Sequence, residues 1–446
     1  MRILMINKYH HIVGGADRYY FLLSKILSDR GHEVIAFSTR HPKNFPSKHE
    51  AYFVENSLTY QNYLTAGLHL QARAFCDGVY NWQAREKIEA LIAATKPEVA
   101  HVHNIFYQLS PSIFEPLRRH GVPVVQTLHD YQPVCANNKF LANGKICEAC
   151  KDSLFSIIRK RCYNNNAKTS ALAFVSKVIH RTLGLYENRV DRFIAPSIFL
   201  RDKLLEHGMP AQKIVHIPYT IDEPQKSFAR PGPWGNTVLY LGRLSRHKGV
   251  HTLIEAMAPL RALRLQIAGQ GDAMDDLKRI IGERQLHHIE LLDFLTPAAC
   301  SEALANASLV VVPSEWYENS PMVIYEALAA GRPVLGARIG GIPELLAPEF
   351  GELFEPGNVL DLRHKIESLM LQPGRLQQMG ARARLHAYQH FNVEQHYQRM
   401  MSLYHQLIAA KNLNQYGCKN RHTRVDSSSR ITEVTDDDRM AEAHEC

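Results

Sequence analysis

The chain has 446 residues, of which 45% are hydrophobic and 22% are charged, and its 52 Lys and Arg residues against 44 Asp and Glu residues give a formal charge of +8. This composition excludes a collagen-like, disulfide-knotted or mostly disordered protein, and no stretch approaches the ~20 apolar residues of a membrane-spanning helix. Charged residues interrupt the N-terminus too early for a signal peptide, so we expect a soluble, cytoplasmic protein.

The first half of the chain predicts strands that alternate with helices, as in βαβ units with a parallel sheet. A strand over residues 2–6 is followed by a loop that contains Gly14 and Gly15, and then by a helix over residues 16–30. The alternation continues as strand 33–38, helix 84–94, strand 99–103, helix 112–120, strand 122–128, strand 192–196, helix 198–207 and strand 214–217.

Residues 218–235 are rich in Pro and Gly and lack periodicity, which predicts a linker between two domains. The pattern then restarts as strand 237–241, helix 250–260, strand 263–268, helix 273–285, strand 289–292, helix 297–306, strand 309–312, a helix from residue 321, strand 333–336 and a short helix 343–346. We therefore predict an α/β protein with two Rossmann-like, doubly wound domains that face a cleft. In such sheets ligands bind beyond the carboxyl ends of the strands.

The predicted domains have the following boundaries. The first covers residues 1–217 and contains an insertion at 131–192, and the second covers residues 236–390. A helix at 391–411 closes the compact part, and the polar segment 412–446 is expected to be a mobile tail.

The positive charge is concentrated in residues 151–192, which hold nine Lys or Arg against three Asp or Glu, a net charge of +6. Apolar residues are interleaved with these cations, which predicts one or two basic amphipathic helices. Such helices suit the anionic face of a membrane, although a solvated helical face packed on a core explains the pattern equally well. Nucleic acid is a poorer candidate partner, because no recognition motif accompanies the charge.

Four of the eight cysteines, Cys135, Cys147, Cys150 and Cys162, follow the spacing C-x11-C-x2-C-x11-C. The Cys147–Cys150 knuckle is typical of zinc ligands, and the outer two cysteines could complete a closed structural zinc site. Ordinary buried thiols explain the cluster as well, and a redox pair is the third interpretation.

The stretch from Pro313 to Leu346 begins where strand 309–312 ends. Ser320 is a favourable helix N-cap, and Pro321 is favoured at the first helical position. The free amides of Met322 and Val323 then face whatever precedes the helix. This arrangement predicts an anion site suited to a diphosphate.

Two glutamates and two cations surround the predicted anion. Glu318 and Glu326 form an E-x7-E pair, in which Glu326 can accept hydrogen bonds from a diol such as a ribose. Arg243 and Lys248 lie in the loop after strand 237–241, which opens on the same sheet edge, and could neutralise a departing phosphate. The Glu pair alone is typical of any solvated helix, whereas the combination favours a nucleotide site.

With these motifs, residues 2 to about 410 resemble the retaining glycosyltransferases of the two-Rossmann-domain (GT-B) type, group four. The resemblance rests on Gly14-Gly15-Ala16-Asp17-Arg18, His129-Asp130-Tyr131, Gly242-Arg243 with Lys248-Gly249, and Glu318 with Glu326. It implies an N-terminal acceptor domain, a C-terminal nucleotide-sugar donor domain, and a last helix that crosses back to the N-terminal domain. Family members often carry Glu where this chain has Asp17.

The resemblance also implies a role for each residue. Arg243 and Lys248 would bind the donor diphosphate, Glu326 the ribose, and Glu318 with the amides of Asn319 to Met322 the donor sugar. The implied sets are His129, Arg243, Lys248 and Glu318 for catalysis, and Gly15, Asn319, Ser320, Pro321, Met322 and Glu326 for donor binding.

The two histidines at strand ends have a weaker signal. His129 directly follows strand 122–128 at the cleft edge. By the resemblance it would contact the transferred sugar, although a lone histidine after a strand is often structural. His103 and Asn104 occupy the end of another strand, where they are expected to line the acceptor side.

We therefore predict a retaining, metal-independent hexosyltransferase that uses a UDP- or GDP-sugar and a glycan or lipid-linked acceptor in polysaccharide or glycolipid synthesis. Because no carboxylate pair is placed as in glycosidases, front-face displacement is favoured over a covalent intermediate. No cofactor is expected beyond the structural zinc, and the location is cytoplasmic or peripheral on the inner membrane face. The alternatives are a nucleotide-sugar epimerase on the same fold and a non-catalytic, nucleotide-sugar-binding peripheral membrane protein.

Overall fold

The computed structural model describes residues 1–55, 67–163, 165–221 and 232–425. Within them the chain forms two six-stranded parallel sheets that are flanked by helices. Most of the predicted linker, residues 222–231, lies outside the described residues, as does the end of the predicted tail, residues 426–446.

The first sheet has the strand order β2-β1-β3-β4-β7-β8, and β5 and β6 form a separate antiparallel hairpin. The strands are β1 (Arg2–Ile6), β2 (Glu33–Phe37), β3 (Val99–Val102), β4 (Val124–Thr127), β5 (Leu141–Ala142), β6 (Lys145–Ile146), β7 (Arg192–Ala195) and β8 (Ile214–His216). The helices are α1 (Gly15–Asp29), α2 (Leu68–Val79), α3 (Trp82–Thr95), α4 (Phe114–Arg119), α5 (Ser156–Arg159), α6 (Ala167–Thr182) and α7 (Ile198–Glu206).

The second sheet has the order β11-β10-β9-β12-β13-β14. Its strands are β9 (Thr237–Leu241), β10 (Arg264–Ala268), β11 (Ile289–Leu292), β12 (Leu309–Val312), β13 (Val334–Ala337) and β14 (Gly351–Phe354). The helices are α8 (Val250–Met257), α9 (Met274–Glu283), α10 (Pro297–Asn306), α11 (Met322–Ala329), α12 (Val359–Met370), α13 (Pro373–His390) and α14 (Val393–Val425).

The central strands are apolar because helices cover both faces of each sheet. Leu309, Val310, Val311 and Val312 of β12 are all buried, and so are all four residues of β13. A strand buried on both sides reads as a continuous apolar run, as expected for a parallel sheet. The two parallel sheets, each covered by helices, correspond to the two predicted Rossmann-like domains and confirm the α/β fold.

The strand order reverses between β1 and β3 in the first sheet and between β9 and β12 in the second. Loops that leave such neighbouring strands in opposite directions open a crevice at the carboxyl edge of the sheet. The crevice of the second sheet lies between the loops after β9 and β12. The predicted anion-binding residues are on these two loops.

Helix α14 begins after the second sheet and packs on the first domain. His396 pairs with Tyr19 at 2.9 Å, Tyr404 with His101 at 2.6 Å, and Lys411 with Asp191 at 3.6 Å. The last helix therefore crosses back over the N-terminal domain, as the resemblance implied. It continues to Val425, beyond the predicted end at residue 411, because no proline interrupts the chain there.

Several elements have no counterpart in the sequence analysis. Strand β14 and helices α2, α12 and α13 were not predicted, and the basic segment contains one short helix, α5, and one long helix, α6. In the described part of the chain, none of the helices combines the length and the apolar character that crossing a bilayer requires.

Candidate active site

Lys248 and Glu318 form an ion pair at the switch point of the second sheet. Lys248 Nζ lies 2.6 Å from Glu318 Oε1, and the ammonium also lies 5.1 Å from the centre of the Trp316 ring. Lys248 follows β9 and Glu318 follows β12, so the pair joins the two loops at the crevice. Glycine holds these loops together, because Gly249 has a φ of +69° and a Cβ there would overlap the Pro313 carbonyl oxygen.

The Glu318 carboxylate is 5% exposed and is held by three donors on one oxygen. Ser314 Oγ donates to Oε1 at 2.6 Å and Trp316 Nε1 at 2.8 Å, in addition to Lys248. Burial acts to raise the pKa of Glu318, but the Lys248 charge and these hydrogen bonds outweigh it and lower the pKa. Glu318 is therefore an ionised, fixed carboxylate.

Helix α11 begins one residue later than predicted. Pro321 is its N-cap with ψ of 114°, and the Ser320 hydroxyl pairs with the Tyr325 hydroxyl at 2.7 Å. The prediction of Ser320 as the N-cap is therefore wrong, because the extended Pro321 places Ser320 outside the helix. Among the described residues, no acceptor contacts the amides of Met322 and Val323, so they are free to bind an anion.

Glu326 lies one turn into α11 and is paired across the cleft. Arg18 of α1 contacts Glu326 Oε1 at 2.9 Å, and an added Cβ on Gly15 would lie 3.3 Å from Met322 Cγ. Burial raises the pKa of Glu326, and the Arg18 charge only partly offsets this. The N-terminal glycine loop therefore closes directly over the first turn of α11.

Asp17 has a role in this loop that the sequence analysis missed. Its carboxylate is 4% exposed and accepts hydrogen bonds from the amides of Val13 and Gly14, each at 3.1 Å, and from Asn7 at 3.0 Å. The detectable signal is the Gly-x-x-Asp capping pattern at the start of α1. Asp17 thus fixes the loop beside Met322.

The Asn319 side chain joins the two domains. Its Nδ2 donates to the Leu128 carbonyl at 3.0 Å, and its Oδ1 accepts from Ser197 Oγ at 2.6 Å. Both ends of this side chain are engaged in the interface, which leaves the Asn319 backbone amide as the group we expect to face a donor sugar.

Arg243 is exposed at the mouth of the cleft, and it forms no ion pair within the described ranges. Lys139, from the insertion of the first domain, lies near Arg243. Burial, followed by the Arg243 charge, lowers the pKa of Lys139. Lys139 was missed because nothing in its local sequence indicates that the insertion folds toward the second domain. Lys139 and Arg243 therefore bring positive charge to the cleft mouth, which Asp272 partly offsets, while Lys248 is paired with Glu318.

His129 lies in a chain of aromatic hydrogen bonds at the end of β4. Its Nδ1 pairs with the Tyr219 hydroxyl at 2.6 Å, and its Nε2 with His103 Nδ1 at 2.9 Å. Burial lowers the pKa of His129 to about 3, so the ring is neutral. Both ring nitrogens are engaged in this conformation, which favours a positioning role over proton transfer.

The four cysteines of the predicted zinc site lie near one another. Burial, followed by the neighbouring thiols Cys135, Cys150 and Cys147, raises the pKa of Cys162 to about 12. Cys135 Sγ donates to Asn137 Oδ1 at 3.0 Å. Among the residues that the structure describes, no three His, Cys, Asp or Glu side chains are arranged to hold a metal ion. Zinc would bind these groups as thiolates, so its binding would have to release their protons. Cys135 is buried and the other three cysteines are partly buried, and zinc stays a prediction for metal analysis.

Glu344 lies at the domain interface, where its protonation is expected to make the stability of the protein depend on pH. Its Oε2 accepts from the Ile198 amide of α7 at 2.8 Å, and partial burial of this otherwise exposed side chain raises its pKa from 4.5 to about 7. The folded state thus holds this proton more tightly than the unfolded state, so stability decreases as pH rises from 4.5 to about 7. We expect the Tm of the wild type to fall more over this range than the Tm of Glu344→Gln. Parallel pH profiles of the two proteins would contradict this assignment.

Comparison with known proteins agrees with this geometry. The family model described as Glycosyltransferase Family 4 matches residues 13–224, and the model Glycosyl transferases group 1 matches residues 224–386. A glycogen synthase of Mycobacterium tuberculosis is 26% identical over 404 residues, which cover 86% of this chain and 89% of that protein.

Two solved structures have the same fold. Sucrose-phosphate synthase from Thermosynechococcus elongatus superposes with a TM-score of 0.68 at 22% identity, covering 92% of this chain and all of that one (100%). Anabaena HepE in complex with UDP-glucose superposes with a TM-score of 0.63 at 18% identity, covering 91% of this chain and 100% of that chain. Two glycosyltransferase family models thus match residues 13–386 between them, and the chain has the two-domain GT-B fold.

Proposed function

We propose that the protein transfers a hexosyl group, with retention of anomeric configuration, from a UDP- or GDP-sugar to a glycan or lipid-linked acceptor. The observation that carries this proposal is the Lys248–Glu318 pair beside the free amides of α11, with Glu326 one turn further along. A diphosphate fits between Lys248 and the amides, and a ribose diol fits Glu326. Anabaena HepE, which shares the fold, has been solved with UDP-glucose.

The Arg18–Glu326 pair bears directly on how the ribose would bind. Glu326 Oε1 is occupied by Arg18 in this conformation, at 2.9 Å. A ribose at Glu326 therefore has to displace Arg18 or share the carboxylate with it. Arg18 then lies next to the nucleotide, where its charge adds to that of Arg243 and Lys248.

The reaction we propose is a front-face displacement that needs no metal. The bond between the anomeric carbon and the diphosphate oxygen breaks, and its electron pair leaves on the nucleoside diphosphate. The acceptor oxygen bonds to the same face, and its proton passes to the departing phosphate oxygen. Lys248 and Arg243 stabilise the charge that develops on this leaving group.

Glu318 is placed to bind rather than to attack. Three donors converge on its Oε1, and its pKa is lowered despite burial, because Lys248 and the hydrogen bonds stabilise the anion. We therefore expect no glycosyl adduct on Glu318. A trapped adduct detected by mass spectrometry would contradict front-face displacement, and NMR of the product anomer tests retention.

A thermal-shift panel of UDP- and GDP-sugars tests the proposed function. A ligand that binds the native state raises Tm, by an amount equivalent to about 2.7 kcal/mol at 100 times its Kd. We expect one nucleotide class to raise Tm and Glu326→Ala to reduce the shift. If NMR shows that the donor isomerises when no acceptor is present, the protein is better explained as an epimerase. If the donor binds but is transferred to no acceptor, the protein is better explained as non-catalytic.

We also propose that the basic segment docks on an anionic membrane surface. Within the described coordinates, its cations Lys151, Arg159, Lys160, Arg161, Lys168, Arg181 and Arg189 form no ion pairs. Apolar side chains are exposed among them, with Phe155 at 59% and Leu183 at 60% exposure. Unpaired cations are ordinary on a solvated helical face, so the proposal rests on their combination with these exposed apolar groups, which an anionic bilayer would use together.

Vesicle co-sedimentation tests this docking. We expect binding to phosphatidylglycerol vesicles that decreases with salt, and a clear loss of binding when Arg159, Lys168 and Arg181 are replaced by Glu. The matched control replaces Arg261, Lys278 and Arg382, exposed cations of the second domain, by Glu, which changes the net charge equally. Equal loss in both triple variants, or no binding to the anionic vesicles, would leave only the solvated-face interpretation.

A further inference from the structure

A turn of the insertion in the first domain, residues 137–140, packs against the loop that carries Glu318. Phe140 is 1% exposed, and its ring centre lies 6.1 Å from that of Tyr317, the neighbour of Glu318. The Tyr131 hydroxyl donates to the Tyr317 carbonyl at 3.2 Å, and the Tyr131 ring lies 4.7 Å from that of Phe140. These contacts hold the turn at the wall of the cleft that belongs to the first domain.

The backbone of this turn is strained on both sides of Lys139. Asn138 has a φ of +56° and Phe140 a φ of +50°, a region that bulky residues rarely adopt. Asn137 holds the turn, because its Oδ1 accepts from the Lys139 amide at 3.1 Å and from Cys135 Sγ at 3.0 Å. Strained backbone persists where its surroundings fix it, and it is concentrated at functional sites. Lys139 is the exposed residue that this strained backbone positions.

Lys139 lies near charged groups of the second domain. Burial, followed by the charge of Arg243 in the loop after β9, lowers the pKa of Lys139, and the charge of Asp272 in the loop after β10 acts in the opposite direction. Neither Lys139 nor Arg243 forms an ion pair with any residue that the structure describes. Two cations from different domains are thus held near each other, with one carboxylate to offset them. Their repulsion destabilises the free protein, and an anion between them would relieve it.

His247 shows that Lys139 also lies near the loop that carries Lys248. Burial, followed by the charges of Lys248 and Lys139, lowers the pKa of His247 to about 4, so this ring is neutral and adds no positive charge. The His247 ring lies 4.7 Å from that of Trp316, and the Lys248 ammonium lies 5.1 Å from the same Trp316 ring. Lys139 therefore approaches the part of the cleft in which the proposed diphosphate contacts Lys248.

Ion pairs already offset the other two cations of the cleft. Arg18 lies 2.9 Å from Glu326, and Lys248 lies 2.6 Å from Glu318. The two unpaired cations that approach each other across the cleft have no such carboxylate among the described residues. They can therefore bind a diphosphate without breaking an ion pair of the free protein.

We propose that Lys139 binds the diphosphate of the donor from the first domain, opposite Arg243 of the second domain. The inference rests on the proposed glycosyltransferase function and adds a donor-binding residue from the domain that is expected to bind the acceptor. The Lys139 ammonium donates hydrogen bonds to phosphate oxygens, and its charge adds to that of Arg243. Because the two cations belong to different domains, the bound diphosphate holds the domains together across the cleft.

Titration calorimetry of the full chain with UDP or GDP, whichever raises Tm more, tests the inference. We expect Lys139→Gln to raise the Kd of the nucleotide about tenfold, because one charge-assisted contact is lost. The Tm of this variant without nucleotide is expected to equal or exceed that of the wild type, because Arg243 loses a like-charged neighbour. A lysine with a purely structural role would not weaken nucleotide binding while leaving the free protein as stable.

Two further variants complete the test. Lys139→Arg keeps the charge and is expected to bind the nucleotide more tightly than Lys139→Gln. Lys145→Gln, at an exposed lysine on β6 of the same insertion, changes the net charge equally and is expected to leave the Kd unchanged. An unchanged Kd in Lys139→Gln, equal Kd values in the Gln and Arg variants, or an equal increase in Lys145→Gln would overturn the inference. If neither UDP nor GDP raises the Tm of the wild type, the proposed function is overturned instead.

Discussion

Replacing Lys248 by alanine is expected to lower the rate of sugar transfer by about 100- to 1,000-fold. The substitution removes the cation beside the predicted diphosphate and leaves the buried Glu318 carboxylate without its ionic partner, which lies 2.6 Å away. Initial rates of nucleoside diphosphate release, measured with the donor found in the thermal-shift panel, give the size of the effect.

Lys278→Ala is the matched control, since Lys278 is an exposed cation on α9. Because Lys248→Ala also leaves a buried charge unpaired, its Tm must be measured beside its rate. Glu318→Gln, which keeps the size of the side chain, is expected to lose activity as well. Full activity in both Lys248→Ala and Glu318→Gln would show that the reaction occurs elsewhere.

Gly341→Ala is expected to reduce activity about 100-fold, because catalytic geometry is sensitive to displacements of about 1 Å. A Cβ at this position would overlap the Asn319 carbonyl oxygen, and the Gly341 amide donates to the Glu318 carbonyl at 2.8 Å. The loop that carries Glu318 would have to move, which would disturb the Lys248–Glu318 pair. Rate measurements and donor-induced Tm shifts should both show the loss.

Gly282→Ala is the control for this substitution. Gly282 lies in α9 with no atom within 4 Å of an added Cβ, so alanine should fit and stabilise the helix by about 0.5–1 kcal/mol. Wild-type activity in Gly341→Ala would mean that the loop after β12 tolerates displacement, and that its fixed position is not needed for catalysis.

The fold and the C-terminal half of the site were predictable because they rest on local patterns. β9 and β12 are apolar runs that end in polar loops, and a parallel sheet brings the ends of such strands to one edge. This is why Lys248 and Glu318 could be placed at the same sheet edge from their positions in the sequence, although their ion pair was not predicted. The amides of α11 were predictable for the same reason.

The contacts between the domains were not predictable in this way. Arg18 and Glu326 are separated by 308 positions, and the partners of the Asn319 side chain lie 122 and 191 positions away. Nothing local to these residues specifies how the two sheets are oriented. Lys139 was missed for the same reason, because the direction in which the insertion folds depends on tertiary packing.

The cysteine cluster shows where a spacing pattern is insufficient. A closed zinc site needs its four thiols directed to one point. Here Cys135 is turned to Asn137 and the Phe140 amide, and burial raises its pKa to about 11. The sequence showed that the thiols would be neighbours, but their orientation depended on the fold of the insertion.

A crystal structure of the protein grown with UDP or GDP, whichever raises Tm more, tests the central claim most directly. We expect the diphosphate to contact Lys248 and the amides of Met322 and Val323, and the ribose hydroxyls to contact Glu326 beside or in place of Arg18. A nucleotide bound outside the cleft, with Lys248 and Glu326 free of contact to it, would contradict the account.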